Sequence, residues 1–422
     1  MRKGIILVTK HFPFNKGETP AESYLENEIK TLAQGAEKVF VIAAEAKQGS
    51  QITCSLPSNV KYAALQSEAS KSVKLACCAK AVTVFFRGKP QEIKAETEDK
   101  KLSFKQKMFL YYYAKRAEQK LKKIENLIEN KTLNLSEYDT LYSYWFFDNA
   151  YMMLKLAEKY SLNNYKIVSR AHGYDLYEYR NSLNYIPLRK FTFSGLNRVL
   201  TCSQNGKEYL TEKYSDFSDK ITVSYLGSVD YSEQKYTRKE NTLRIASCSR
   251  LVALKRVHRI IEALSELEGK GFNLEWTHFG GGALFDEIKS EAESKLKKTN
   301  YYLKGNMSNV EVMKNYSELS TDVFINVSET EGLPISIMEA SSFGIPVIAT
   351  DVGGTAEIVI DGKNGFLLTK DFTNDKLCNL LEKIAGMSDD EYMTLRKNSR
   401  QMYVENFECS RNVERFLNLL DK

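Results

Sequence analysis

Short apolar runs alternate with helix-like segments along the whole chain, and this alternation constrains the fold more than any other feature. Strand candidates in the first half are residues 4–8, 38–43, 140–144, 166–169 and 198–201. In the second half they are 243–248, 273–279, 301–304, 323–326, 346–349 and 365–368. Helical patterns fill the gaps, for example residues 257–268 and 335–342, and a long lysine-rich one covers 105–131. Strands that alternate with helices predict parallel sheets covered on both faces, hence an α/β chain. A polar stretch from Asp230 to Asn241 (DYSEQKYTRKEN) separates the halves and reads as a linker. The expected organisation is two Rossmann-like domains, residues 1–235 and 236–404, facing across a cleft. Residues 405–422 then form a C-terminal helix expected to pack back on the first domain. In such sheets ligands sit at the carboxyl ends of the strands. A length of 422 residues fits this division, at roughly 150 residues per domain.

Composition removes several other classes. Hydrophobic residues make up 43% and charged ones 27%, which is a globular balance. The purest apolar run near the N-terminus, Ala81–Phe86, is far shorter than the ~18 residues a membrane-spanning helix needs. No signal peptide is expected, because the first strand runs directly into Thr9-Lys-His without a small-residue cleavage site. Cysteines at 54, 77, 78, 202, 248, 378 and 409 form neither a C-x-x-C pair nor a disulfide framework. A reducing cytoplasm is the expected compartment.

The net charge of +6 is unevenly placed. Residues 71–131 hold 16 Lys and Arg against 7 Asp and Glu, leaving 44 against 47 for the rest. Phe85, Phe86, Phe104, Phe109 and Tyr111 to Tyr113 are interleaved with these cations. Basic amphipathic segments of this kind bind anionic surfaces, so Lys71–Lys131 is expected to contact an anionic membrane peripherally. Nucleic acid is not expected, since no recognised binding motif accompanies the segment.

The segment Phe324–Thr355, FINVSETEGLPISIMEASSFGIPVIATDVGGT, is the most informative for chemistry. A buried strand enters a loop (ETEGLP), and a helix opens near Pro334, a residue suited to a first helical turn. Glu331 lies in the loop and Glu339 within the helix, up to ~12 Å apart at 1.5 Å per residue. That exceeds the ~5–5.5 Å of a retaining glycosidase pair. The two carboxylates are suited instead to the ends of one elongated polar ligand, such as a nucleotide sugar.

Arg250, Lys255 and Arg256 cluster after a strand and before the 257–268 helix. Cations at a helix N-terminus oppose the macrodipole, so the cluster calls for an anion, and helix N-termini are natural phosphate sites. Trp276–Gly282 is a strand ending in three glycines, a turn that lets backbone approach a ligand closely. Ser169-Arg-Ala-His172-Gly-Tyr-Asp175 closes another strand, and Gly17 sits in the loop after the first strand, placed to cap a diphosphate. The G-x-G-x-x-G dinucleotide spacing is absent after the first strand of each half, which argues against a nicotinamide enzyme.

These residues resemble the GT-B retaining glycosyltransferases. EGLPISIME matches the E-x7-E motif, and SRLVALKR, HFGGG, AHGYD and KHFPFNKGETPAESYLENEI are similar to glycosyltransferase family 4. The resemblance is specific from about residue 243 to 368 and looser in the first domain. It implies that Arg250 and Lys255 bind the donor diphosphate and offset leaving-group charge, with no metal or other cofactor. It implies that Glu339 bonds the ribose hydroxyls, and that Glu331 with Gly332, Leu333 and Pro334 holds the donor sugar. Gly280 and Gly282 would line the donor site and Gly17 the diphosphate. His172 would contact the sugar near the reacting centre, and Asp175 would lie on the acceptor side. Pro334 and the single Gly17 depart from the family pattern. The expected activity is retaining hexosyl transfer from a nucleoside-diphosphate sugar, UDP-sugars favoured, to a glycan or lipid-linked glycan in cell-surface polysaccharide synthesis. A sugar-nucleotide epimerase and a non-catalytic sugar-nucleotide binder are the alternatives.

Overall fold

The computed structural model describes residues 3–16, 19–20, 22, 24–47, 49–52, 54–66, 90–231 and 236–421. Gly17 and residues 71–89 of the basic segment lie outside the described residues. The chain divides into two units, Met1–Ser224 with Val413–Lys422, and Tyr225–Asn412. The second unit therefore begins ahead of the polar stretch and not at residue 236. The Tyr225 hydroxyl donates to Glu357 at 2.9 Å, the Ser228 amide to the Phe407 carbonyl at 3.0 Å, and Asp230 pairs with Arg400 at 2.6 Å. Further on, Arg238 donates to the carbonyls of Ile384, Ala385 and Met387, pinning much of the expected linker onto the second unit.

In the first unit the strands are β1 (Ile5–Thr9), the short β2 (Asn15–Lys16) and β3 (Thr19–Pro20), β4 (Val39–Ala43), β5 (Val60–Ala64), β6 (Thr140–Ser143), β7 (Lys166–Ala171), β8 (Arg198–Thr201) and β9 (Ile221–Val223). The main sheet is parallel, in the order β5-β4-β1-β6-β7-β8-β9. β1, β4 and β6 are buried along their whole length, as strands covered on both faces must be. The chain runs outward from β1 in both directions, so the order reverses between β1 and β6. That reversal is where α/β sheets open a crevice.

The helix Phe104–Glu129 starts at Ser103, whose hydroxyl and Gln106 form a capping box. Its Leu110, Tyr111, Tyr113, Ala117 and Ile124 are buried in the core of the first unit. Here the structure corrects the sequence reading. Much of the apolar stripe expected on a membrane-facing surface is core, while Phe104 stays exposed. Within the same unit, Phe416 from the C-terminal segment lies 4.8 Å from the Tyr142 ring, and Lys166 donates to the Leu420 carbonyl.

The second unit holds β10 (Leu243–Cys248), β11 (Leu274–Phe279), β12 (Asn300–Leu303), β13 (Val323–Asn326), β14 (Val347–Thr350) and β15 (Gly365–Leu368). They form a parallel sheet in the order β12-β11-β10-β13-β14-β15, reversing between β10 and β13. One core cluster holds Trp276, Ile260 and Leu381, and another holds Phe324, Ile337 and Val347. Both units are thus open parallel α/β sheets of the Rossmann type.

Candidate active site

The residues of interest in the second unit gather where its strand order reverses. After β10 the chain continues through Ser249 and Arg250; after β13 it passes through Val327 to the loop that carries Glu331. The two loops are laced together, since the Glu329 amide donates to the Leu254 carbonyl at 2.8 Å. Lys255 ends a single 3-10 turn, and its ammonium donates to Glu331 Oε1 at 2.6 Å. Asn326 Nδ2, from the end of β13, donates to the same oxygen at 3.1 Å. Arg250 is exposed, and its side chain forms no hydrogen bond or ion pair among the described residues.

Arg256 is different from its two neighbours. Its guanidinium donates to the carbonyls of Val327 at 2.8 Å, Ser328 at 3.3 Å and Lys370 at 2.8 Å. It ties loops together and needs no external anion. Of the three clustered cations, only Arg250 is therefore left for a ligand alone, with Lys255 shared between the ligand side and Glu331.

The loop 329–334 is shaped by a glycine that the sequence reading passed over. Gly353 adopts φ +60°, and a Cβ there would collide with the Glu331 carbonyl oxygen. The Gly354 amide then donates to the Gly332 carbonyl at 2.7 Å. Held this way, the amides of Gly332 and Leu333 form no hydrogen bond among the described residues. They precede Pro334, which has no N–H, and the helix Ile335–Ser342. Such amides at a helix start favour negative charge.

Glu339 sits within that helix and is buried. Asn309 Nδ2 donates to its Oε1 at 2.5 Å. Burial pushes the Glu339 carboxyl up to about 7, the Asn309 contact only partly opposing it. It also raises the nearby Cys248 thiol to about 12, with the Glu339 charge adding to the effect.

Gly280 and Gly282 let two loops approach closely. Gly280 has φ +123°, and side chains at the two positions would strike the backbone of Ser249 and Leu251. The Ser249 amide donates to the Phe279 carbonyl at 3.0 Å and the Leu251 amide to the Gly281 carbonyl at 2.9 Å. Their lack of a Cβ brings the loop after β11 against the loop after β10. His278 beside them is fully buried, its Nδ1 at 2.8 Å from the Ser247 hydroxyl, and burial lowers it to about 4.

In the first unit, His172 follows β7 and lies among aromatic rings, 4.5 Å from Trp145 and 4.8 Å from Tyr144 between centroids. Burial disfavours its charged form, but the Cys202 sulfur and the Asp175 carboxylate outweigh this and push the imidazole up to about 10. Asp175, expected on the acceptor side, is engaged by backbone. Its carboxylate is fully buried and accepts from the amides of Phe146 at 2.9 Å, His172 at 2.9 Å and Gly173 at 3.1 Å. It shapes the His172 turn and has no surface left for a ligand.

Three further residues escaped sequence reading. Asn326 and Asn309 position the two glutamates, and a polar residue closing the buried run FIN was the available signal for the first. Glu22 accepts from the amides of His11 and Phe12, both at 2.8 Å, from Lys10 at 3.3 Å, and from the Trp145 indole. No local pattern announces that clasp. Among the described residues, no group of three or more His, Cys, Asp or Glu side chains is set to hold a metal ion. No helix among them is long and apolar enough to cross a membrane.

Known proteins share this fold and part of this sequence. Residues 229–402 match the family model of the glycosyl transferases group 1. The chain is 26% identical over 289 residues to the uncharacterized glycosyltransferase MJ1178 of Methanocaldococcus jannaschii, covering 66% of this chain and 72% of that protein. It is 27% identical over 253 residues to the putative colanic acid biosynthesis glycosyltransferase WcaL of Escherichia coli K12, covering 57% and 61%. The chain thus spans under two thirds of the second relative. Among solved structures, HepE of Anabaena in complex with UDP and glucose superposes with a TM-score of 0.63 at 14% identity over the whole of both chains.

Proposed function

We propose that this GT-B glycosyltransferase moves a hexosyl unit from a nucleoside-diphosphate sugar, UDP-sugars favoured, to a glycan or lipid-linked glycan acceptor. The setting is cell-surface polysaccharide synthesis, and the anomeric configuration is retained. One observation carries the reading. At the strand-order reversal of the second unit lie an exposed arginine with no partner among the described residues, a lysine–glutamate pair, and two amides at a helix start with no acceptor among the described residues. That set complements a diphosphate joined to a polar sugar.

Arg250 and Lys255 bind the diphosphate, and Lys255 is then shared between phosphate oxygen and Glu331. Glu331 with Gly332 and Leu333 takes the sugar, while Glu339 takes the ribose hydroxyls. Pro334 contributes shape only, having no amide to donate. As the glycosidic bond to the diphosphate breaks, negative charge develops on the leaving phosphate. The two cations stabilise it, which is the role a metal fills in other transferases. The acceptor hydroxyl attacks from the face the phosphate leaves, and the phosphate oxygen takes its proton. His172 is assigned to the sugar near the reacting carbon.

Membrane contact is a separate part of this reading. It rests on the cationic residues of 71–131, since much of the aromatic stripe of the 104–129 helix is core. Binding to anionic but not neutral liposomes, weakened by salt, would support it.

The test of the activity is donor hydrolysis over a panel of nucleotide sugars, with Lys255→Ala alongside. Loss of one charge-stabilising donor costs about 2.7–4 kcal/mol in the barrier, so turnover should fall by about 10²–10³. Near-full activity in the variant would refute the assigned role.

A further inference from the structure

A second group of residues stands at the strand-order reversal of the first unit, where β1, β6 and β7 end. Lys10 follows β1, Trp145 follows β6 and Tyr174 follows β7. The Lys10 ammonium lies 4.1 Å from the Tyr174 ring centroid and 4.9 Å from that of Trp145. It is partly buried, and forms no hydrogen bond or ion pair among the described residues.

Among the described residues, the nearby carboxylates of Glu45, Asp148, Asp175 and Glu22 each have other partners. Glu45 pairs with Arg116 and, at 3.5 Å, with Lys120. Asp148 pairs with Lys120 at 2.8 Å and Arg116 at 3.2 Å. Asp175 is taken by three backbone amides, and Glu22 by three amides and an indole N–H. Arg116 and Lys120 thus hold two of these carboxylates, and the Lys10 ammonium has no ion pair of its own among the described residues. Ring faces compensate an ammonium only in part, and burial lowers its pKa accordingly. The Tyr174 hydroxyl beside it is buried with no hydrogen-bond partner among the described residues. An ammonium and a hydroxyl that both lack a partner among the described residues, close together at the strand ends, call for an acceptor atom of a ligand.

We propose that Lys10, with Tyr174 and Trp145, forms a subsite for an acidic group on the acceptor saccharide, a carboxylate or a phosphate. The proposal deepens the glycosyltransferase reading by naming the acceptor class. It rests on that reading only in assigning the subsite to an acceptor.

Trp145 supplies a direct readout, because Trp276, the other tryptophan, is fully buried with its N–H on the Ser247 hydroxyl. Methyl glucuronoside, methyl glucoside 6-phosphate and neutral methyl glucoside are titrated into the full chain while tryptophan fluorescence is followed, with Trp145→Phe as the blank. At least one acidic probe should bind about tenfold more tightly than the neutral one. The two acidic arms show whether carboxylate or phosphate is preferred. Lys10→Met should abolish the preference and Lys10→Arg should keep it. Equal affinity for acidic and neutral probes, no binding of either, or a preference surviving in Lys10→Met would overturn the proposal. If Lys10→Met does not fold, the wild-type comparison still decides. Donor hydrolysis by the wild-type chain is measured in parallel. Its absence would sink the transferase activity yet leave an acid preference at Lys10 standing.

Discussion

Glu339 shows what burial does to a single functional group. Its carboxyl is pushed up to about 7 by loss of water, and one amide from Asn309 is its recorded hydrogen-bond donor. In the unfolded chain the group titrates near 4.3. Protonated Glu339 therefore stabilises the fold below that value, and this advantage is lost as pH rises through about 7. Glu339→Gln keeps the Asn309 contact without the charge. The variant should match the wild type in thermal stability near pH 4 and exceed it above pH 7, by about 1–3 kcal/mol. A difference independent of pH would remove the buried-carboxyl account. Ribose hydroxyls would supply the donors this carboxylate lacks, so its discomfort without ligand fits its assigned role. Sequence spacing picked out Glu339, but not its burial or Asn309, which lies thirty residues earlier in chain order. Arg256 shows the opposite limit. Its neighbours in sequence suggested a phosphate ligand, whereas carbonyls from residues 327, 328 and 370 satisfy it, and no local pattern encodes such distant partners.

At the scale of elements, loops at the strand ends hold one another in place. Gly353 is the contact point, with its left-handed φ and no room for a Cβ against the Glu331 carbonyl. Gly353→Ala should cost about 2–4 kcal/mol in stability, and should displace the loop that carries Glu331. Thermal unfolding and donor affinity measured together test this; a variant unchanged in both would show that the loop is set by something else. The strands that form such sheets were legible because burial on both faces produces continuous apolar runs, as in residues 5–8 and 39–43. β5 was not, since Lys61 and Tyr62 are exposed in an edge strand and the run breaks up. β9 is only three residues long and offers no periodicity. Helix periodicity correctly marked the 104–129 helix but not which face its aromatics would take; packing in three dimensions decides that.

At the scale of the whole molecule, the C-terminal segment is chain-distant from the unit it joins. Val413, Phe416 and Leu420 are buried, and the Arg170 guanidinium lies between Glu28, at 2.8 Å, and the Phe416 ring, at 5.3 Å. Removing residues 413–422 would strip that cover from a buried ion pair. A buried Phe alone is worth about 1.5–3 kcal/mol. Calorimetry should show the transition of the first unit lowered while that of the second is retained, and an unchanged first transition would contradict this packing. The division near residue 225 was hidden from sequence because a polar stretch resembles a linker whether free or pinned. Here Asp230 and Arg238 are anchored by Arg400 and by helix-end carbonyls.

The central claim is that the strand-order reversal of the second unit holds a nucleoside diphosphate through Arg250. Calorimetric titration of UDP into the wild type and Arg250→Ala tests it most directly. The account predicts measurable binding that weakens by about thirtyfold or more in the variant, as expected for about 2 kcal/mol lost with a charge-assisted contact. Equal affinity in the two proteins, or no binding of any nucleoside diphosphate to the wild type, would contradict it.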